Sequence, residues 1–378
     1  MKTLILGAAA MLVAGCAMEG EEEVDSQSAE ILNGYTLNPE NSGHVKLNLH
    51  TPDDPDSEAG CSGTLLANRW VVSNRHCFED VTAAGSTAVM GTQSSNISAF
   101  YVHSGYDVAL VRLSTPFIMN GHNYGYRRPL YRGSTNGLQG MQVYCRGYGL
   151  NTATSGWGTL RGGVMKVEGH GPTIHLEKAD GYNQHGMDGD SGGGCFSSDP
   201  TGGSGTLVAI HYAQVIDTVW GWQYDLAVEV NMVADWLLTR MMEHDVAGLP
   251  KYRLESVYSP GWCLRAQQPP YFAVMNPCAQ VDEQTFTVLY DPSVGVYQLV
   301  EHDRYRCIAI SLSTSYLYAS ACDGNSLQAW QEIYRGSSQW TFQSDHNGNC
   351  LQGSSSLTPN DVTCTTSSAQ RWRLVSVP

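Results

Sequence analysis

Basic residues are scarce in this chain of 378. Lys and Arg number 21 against 36 Asp and Glu, the formal net charge is −15, and no Lys/Arg cluster interrupts the acidic balance. A polyanion would find no basic stripe to bind, which excludes nucleic acid and anionic membrane surfaces as partners. Charge of either sign is sparse at 15%. Long helical patterns are scarce too: one stands out, Val228 to His244, with Val230, Val233, Leu237 and Met241 on one face. With 40 glycines in the chain, this scarcity favours a turn-rich β protein. The apolar run Leu4 to Val13 is too short to span a bilayer. Placed after Lys2 and before small residues, it reads as an export signal. Hydrophobic residues, by contrast, make up 42% of the chain and can fill real cores. The length exceeds one domain of roughly 100–200 residues, so two folded units behind a leader are expected.

Eleven cysteines is an odd number, which in an exported chain asks for one unpaired or modified thiol. Val13-Ala14-Gly15-Cys16 resembles the lipobox of bacterial lipoproteins, whose cysteine is diacylated and becomes the mature N-terminus; an ordinary cleavable signal that contains Cys16 is the alternative. Glu19 to Glu30 is acidic, small and without apolar period, as in a disordered pro-segment. The expected organisation is a signal peptide with lipobox over 1–16, a pro-segment over 17–30, a first domain over 31–244, a linker over 245–251 and a second domain over 252–378. Val45 to Leu49 and Thr64 to Ser73 have strand periodicity, broken by Gly, Asn, Asp and Ser clusters. The second domain contains an internal repeat. Cys263, Cys307 and Cys350 are spaced by 44 and 43 residues and Cys278, Cys322 and Cys364 by 44 and 42. Gln284-Thr285-Phe286, Gln328-Ala329-Trp330 and Gln370-Arg371-Trp372 keep step with them, so three units of about 40 residues form a pseudo-threefold fold.

The chemistry lies in the first domain. A serine hydroxyl is a poor nucleophile near neutral pH, so acyl transfer needs an imidazole as base, a carboxylate to orient it and donors for the oxyanion. Three motifs supply these parts in the order His, Asp, Ser. The first is Cys61-Ser62-Gly63-Thr64-Leu65-Leu66 followed by Trp70-Val71-Val72-Ser73-Asn74-Arg75-His76-Cys77. The second is Tyr106-Asp107-Val108-Ala109-Leu110-Val111-Arg112-Leu113, and the third Gly189-Asp190-Ser191-Gly192-Gly193. Together they resemble the chymotrypsin/trypsin-like serine protease family across about 31 to 244.

That resemblance implies an all-β fold, a double six-stranded β-barrel with a C-terminal helix. It makes His76 the base, Asp107 its orienting carboxylate and Ser191 the nucleophile, with the amides of Gly189 and Ser191 converging on the oxyanion. It pairs Cys61 with Cys77 and Cys145 with Cys195. Asn74-Arg75 stands where the family usually has two alanines, a departure that touches packing. Ile31-Leu32-Asn33-Gly34 resembles the family's activated N-terminus, so cutting Glu30-Ile31 would let Ile31 pair with Asp190; a plain first strand is the alternative. In the family the residue six before the serine sits at the base of the primary pocket, where an aspartate selects Lys or Arg. Here it is His185, which implies a different specificity. His211 falls where glutamyl endopeptidases place a histidine that binds a substrate carboxylate, and a protonated imidazole suits that task. A strand histidine satisfied by internal hydrogen bonds is the other reading. Gln214 lines the same pocket. The expected enzyme is an exported serine endopeptidase, extracellular or periplasmic, with a preference for Glu or Asp at the scissile position. It acts on protein or peptide substrates and calls for no cofactor or metal.

The repeats of the second domain resemble the ricin-type β-trefoil lectin family across about 251 to 378. This resemblance pairs Cys263 with Cys278, Cys307 with Cys322 and Cys350 with Cys364, and it suggests targeting, through glycans or protein contact. Sugar-binding members often carry an aspartate two after the first cysteine of a repeat, where this chain has Arg265, Ala309 and Gln352. The aromatic platform is likewise replaced by Asn276, Ser320 and Val362. A lectin-like carbohydrate-binding protein with an inactive protease domain is the rival reading. If Cys16 is lipidated, a membrane enters only as a tether, and a cut after Glu30 would release the enzyme.

Overall fold

The computed structural model describes residues 31 and 34–378, except 53–57, 120–125, 151–156, 170–172, 180, 183, 187–188, 201–203, 218–221, 268–270, 292–294 and 356. The export signal, Cys16, the pro-segment and Glu30 lie outside the described residues.

Among the described residues twenty-five strands and one α-helix give an all-β architecture. After the short β1 (Tyr35–Thr36) come β2 (His44–His50), β3 (Glu58–Ala67), β4 (Trp70–Ser73), β5 (Thr82–Met90), β6 (Gln93–Val102) and β7 (Ala109–Leu113), closed into a barrel in the order β2-β3-β4-β7-β6-β5. The period-2 pattern decides which face is core. Val45, Leu47 and Leu49 are buried while Lys46 and Asn48 between them are half-buried, and the inward residues meet Leu65, Val71, Met90 and Val111.

A second six-stranded barrel is built from β8 (Gln142–Gly147), β9 (Arg161–Val167), β10 (Thr173–Lys178), β11 (Gly194–Phe196), β12 (Leu207–Asp217) and β13 (Trp222–Glu229). The β8–β9 pairing closes it, and β1 attaches to β9. Its core holds Val143, Met165, Ile174, Leu176 and Val208. Between the barrels Val72, Leu110, Phe196 and Ile210 pack together with Leu237 and Met241 of α1 (Ala234–Asp245).

The helix is shorter than its apolar spacing predicts. Val228 is still paired with Ile210 in the β12–β13 ladder, and Val230–Met232 form a 3-10 turn. β-branched residues suit a strand and are stiff in a helix, so the ladder takes the first part of the pattern. Val230, Val233, Leu237 and Met241 nevertheless share one core.

Five residues after α1 the third unit begins. It comprises β14 (Lys251–Ser256), β15 (Trp262–Arg265), β16 (Val274–Pro277), β17 (Phe286–Asp291), β18 (Val296–Glu301), β19 (Cys307–Ile310), β20 (Leu317–Ser320), β21 (Trp330–Tyr334), β22 (Trp340–Ser344), β23 (Cys350–Ser354), β24 (Leu357–Val362) and β25 (Trp372–Val377). Six strands close a ring, β14-β17-β18-β21-β22-β25, and three hairpins, β15–β16, β19–β20 and β23–β24, attach to it.

The repeated Gln-x-aromatic element has a physical cause. Phe286, Trp330 and Trp372 are wholly buried in one cluster. Each glutamine clamps the backbone on both sides of the second cysteine of its repeat. Gln284 accepts from the Ala279 amide at 2.7 Å and donates to the Pro277 carbonyl at 3.0 Å. Gln328 does the same with Asp323 and Ala321, and Gln370 with Thr365 and Thr363. Buried polar atoms must be hydrogen-bonded, and the glutamines meet that need identically three times. Disulfides Cys263–Cys278, Cys307–Cys322 and Cys350–Cys364 staple the same segments. The unit rests on the helix end, where Met242 and Val246 pack against Val300 and the Cys307–Cys322 pair.

Candidate active site

The two barrels contribute to the site from opposite sides. His76 opens a short 3-10 turn directly after β4, and the Cys61–Cys77 disulfide ties that turn back to β3. Asp107 lies two residues before β7, which pairs with β4, so ladder register brings the two side chains together. His76 Nδ1 is 2.7 Å from Asp107 Oδ2, and the His76 amide donates to Oδ1 at 2.9 Å. Asn74, a departure from the family pattern, is fully buried and donates from Nδ2 to the Asp107 carbonyl at 2.8 Å. The residue that replaces an alanine thus fastens the aspartate. Burial pushes the Asp107 carboxyl up, but its hydrogen bond with the His76 side chain, together with the His76 charge and amide and the Arg75 charge, outweighs this and holds it below its ordinary value.

Ser191 comes from the second barrel, in the turn ahead of β11. Its carbonyl accepts from the Ser62 amide at 2.9 Å and lies 3.9 Å from Cys77 Sγ, which sets it beside the residue following His76. The hydroxyl donates to the Tyr212 carbonyl at 3.4 Å. Ser62 is a tie that the sequence reading did not single out. Its buried hydroxyl donates to the Gly189 carbonyl at 2.7 Å and accepts from the Tyr148 amide at 2.8 Å. Gly189 has φ of +96°, a conformation that glycine adopts without strain. The first barrel therefore holds the Gly189–Ser191 turn in place. A buried serine in a strand has no local signature, so only the fold could reveal it.

Ile31 and Asp190 are both 2% exposed. Ile31 packs with Val143, Cys145 and Met165 of the second barrel, and Asp190 Oδ1 accepts from the Gly149 amide at 3.2 Å. Cys145 and Cys195 are disulfide-bonded between the adjacent strands β8 and β11.

The structure brings His185, His211 and Gln214 close to one another around Gly186. Gln214 donates to the Gly186 carbonyl at 2.9 Å, and a Cβ at position 186 would collide with the His211 ring. His185 and His211 are 2% and 3% exposed, and neither ring makes a hydrogen bond. Burial pushes His185 below its ordinary value, with Asp225 opposing and Lys178 reinforcing the shift. Asp225 itself is missing from the sequence reading and stands among these residues.

Among the described residues one His/Cys group is compact enough to hold a metal, Cys61, His76 and Cys77. Its two sulfurs are joined to each other, so no thiolate is left to bind one. In the C-terminal β-rich unit a cleft of about 220 Å³ is lined by Arg265, Tyr271, Glu283, Glu301 and Asp303. Arg265 lies 3.4 Å from Glu283.

Two closed six-stranded barrels with a His–Asp pair on one and a glycine-framed serine on the other define a chymotrypsin-like serine peptidase domain. Residues 31–237 match the family described as Trypsin, and the chain belongs to that family. It is 25% identical over 215 residues to an uncharacterized peptidase of Corynebacterium glutamicum strain R, a match covering 55% of this chain and 74% of that protein. Among solved structures it resembles HL collagenase (18% identity, TM-score 0.45, 56% of this chain and 98% of that one) and mouse neuropsin, a serine protease (16%, 0.42, 56% and 99%). A scabies mite inactivated protease paralogue is similar at 16% and 0.43, over 55% of this chain and 98% of that one. Among the described residues no helix is long and apolar enough to cross a membrane. Five disulfides suit an oxidising compartment.

Proposed function

We propose that the chain is a secreted serine endopeptidase that works through an acyl-enzyme. The observation that carries this reading is the 2.7 Å His76–Asp107 pair facing a serine turn pinned by Ser62. In the proposed mechanism the Ser191 hydroxyl turns from Tyr212 toward His76 and attacks the scissile carbonyl, and its proton passes to His76 Nε2. Asp107 stabilises the imidazolium and fixes its tautomer. The amides of Gly189 and Ser191 receive the developing oxyanion. His76 then returns the proton to the leaving amine, and water releases the acyl group by the same route reversed.

Cutting Glu30-Ile31 frees an amine at Ile31, which pairs with Asp190 and orders the oxyanion turn. With lipid on Cys16 and no disulfide reaching back to it, the same cut detaches the enzyme from its tether. The site accepts Glu or Asp at the scissile position, because the His185 and His211 rings have unused hydrogen-bonding capacity in a buried pocket. The trefoil serves as a targeting module, with its polar cleft and the 68% exposed Tyr271 offered to glycan or protein. Peptides differing only at the scissile residue test the enzyme reading: Glu should be cut faster than Lys, Arg or Phe. Equal or reversed rates refute the acid preference, and no hydrolysis of any peptide by protein starting at Ile31 refutes the peptidase.

A further inference from the structure

Asp107 is held by a turn rather than by a strand. It lies in the segment 103–108 that joins β6 to β7, where Val102 pairs with Ala109 at the end of the ladder. Two backbone bonds close this turn: the His103 amide donates to the Val108 carbonyl and the Val108 amide to the Tyr106 carbonyl, both at 2.8 Å. Neither reaches the exposed tip at Ser104 and Gly105. The His103 side chain does. Its Nδ1 accepts from the Gly105 amide at 3.0 Å and from the Tyr106 amide at 3.1 Å. These donors lie two and three residues further on, the positions that an Asn or Asp oxygen serves in an Asx turn. With Nδ1 accepting, the ring carries its proton on Nε2. The ring packs edge to face against Trp236 of α1, with centroids 5.0 Å apart, and lies 5.1 Å from the Tyr106 ring. Tyr106 is followed directly by Asp107, whose carboxylate meets His76 at 2.7 Å.

We infer that His103 is a positioning residue for Asp107: while its ring is neutral, Nδ1 fastens the Gly105 and Tyr106 amides and so fixes the turn that presents the carboxylate to His76. The inference rests on the peptidase reading of the site. A second proton on the ring reverses the interaction. Both ring nitrogens then donate, and the two amides face an N–H in place of an acceptor. The fold disfavours that state, because burial pushes His103 below its ordinary value and the Arg75 charge pushes the same way. Among the described residues that pack against the ring, none supplies a counter-charge. Trp236 brings an indole and Tyr106 a phenol, Asp235 of α1 is engaged by Arg132 and Arg306, and Asp107 is committed to His76. The contribution of neutral His103 is therefore present above the ordinary histidine range and is lost as pH falls through the lowered value.

The test uses the full protein after processing to Ile31 and measures kcat and KM on one peptide between pH about 5 and 8. His103→Asn keeps an acceptor in place of Nδ1 and does not titrate, whereas His103→Phe keeps a ring against Trp236 and removes the acceptor. Misplacing a catalytic group by about 1 Å can cost about a hundredfold. Water reaches this half-buried side chain, so at pH about 8 His103→Phe should lower kcat by about three- to tenfold with little change in KM, and His103→Asn should match wild type within about twofold. Titrations common to the two active sites cancel in the ratio of His103→Asn to wild type. That ratio in kcat should climb to at least about threefold by pH about 5. A ratio that stays flat, or full kcat in His103→Phe, overturns the proposal, and the His103→Asn ratio decides alone if His103→Phe does not fold. Amide exchange followed by mass spectrometry gives a readout independent of activity: at equal pH the peptide 103–108 should exchange faster in His103→Phe than in wild type and His103→Asn. That pattern in protein that hydrolyses no peptide refutes the peptidase reading alone, and equal exchange in all three overturns the role of His103 in the turn.

Discussion

Ser62→Ala isolates the contact by which the first barrel holds the nucleophile turn. The substitution removes one hydroxyl that donates to the Gly189 carbonyl at 2.7 Å and accepts from the Tyr148 amide at 2.8 Å. Ser62 is 1% exposed, so water does not readily replace the hydroxyl. Each buried group left unpaired costs about 1–3 kcal/mol, which gives about 2–4 kcal/mol for the pair after partial relaxation. For a domain of this size each kcal/mol shifts the melting temperature by about 2–4 °C, so a fall of roughly 5–15 °C is expected. Freed from its anchor, Gly189 would place its amide less accurately, and kcat should drop about 10- to 100-fold with a smaller change in KM. Thermal unfolding followed by circular dichroism and initial rates on one peptide suffice. A variant melting within about 2 °C of wild type, with kcat intact, would show that Ser62 does not anchor the turn.

Asp107→Asn should leave the fold intact and reduce kcat by about four orders of magnitude, because the amide cannot support the imidazolium; a loss below about tenfold would remove Asp107 from the mechanism. Asn74→Ala, which frees the Asp107 carbonyl, should lower kcat more than it raises KM, and a change in KM alone would argue against a positioning role. Asp107 is held below its ordinary value, so its contribution to stability is present above the ordinary aspartate range and lost as pH falls beneath it; Asp107→Asn should flatten the acid limb of a stability-pH curve, and an unchanged limb would contradict this. Glu301 behaves oppositely. Burial pushes it up to about 7, against amide hydrogen bonds from Arg304 and Asp303, so the protonated form stabilises the C-terminal unit below the ordinary glutamate range and that stabilisation is lost as pH rises toward 7. Glu301→Gln should remove this dependence and raise the stability of the C-terminal unit above pH about 7; urea midpoints that still fall between pH about 4.5 and 7 would refute it.

What could be read from sequence was local. The turn around Ser191 carries its glycines beside the serine, His76 follows its strand within six residues of Trp70, and each C-terminal repeat keeps its cysteines and glutamine at nearly constant spacing. The double barrel was implied by the family resemblance those motifs carry, and the strand of Val45, Leu47 and Leu49, with its period-2 burial, was legible in the alternation of apolar and polar residues. Residues whose roles depend on register were not legible. Asp225 reaches Gly186 only because β12 shifts register past Tyr212, and Ser62 meets Gly189 across 127 residues of sequence. Asn74 was visible as an oddity, but its purpose became clear only once Asp107 was seen above it. The helix start failed for a related reason: an apolar spacing cannot say where a ladder stops, and the pairing of Val228 with Ile210 decided it.

Ser191 as the nucleophile is the claim on which the rest depends. The most direct measurement is intact-mass and peptide mass spectrometry of the protein starting at Ile31 after exposure to an organophosphonate. One adduct on the peptide bearing Ser191, loss of peptidase activity in proportion to labelling, and no adduct in Ser191→Ala are the expected results. Full peptidase activity in Ser191→Ala, or an unlabelled Ser191 in wild type, would contradict the account.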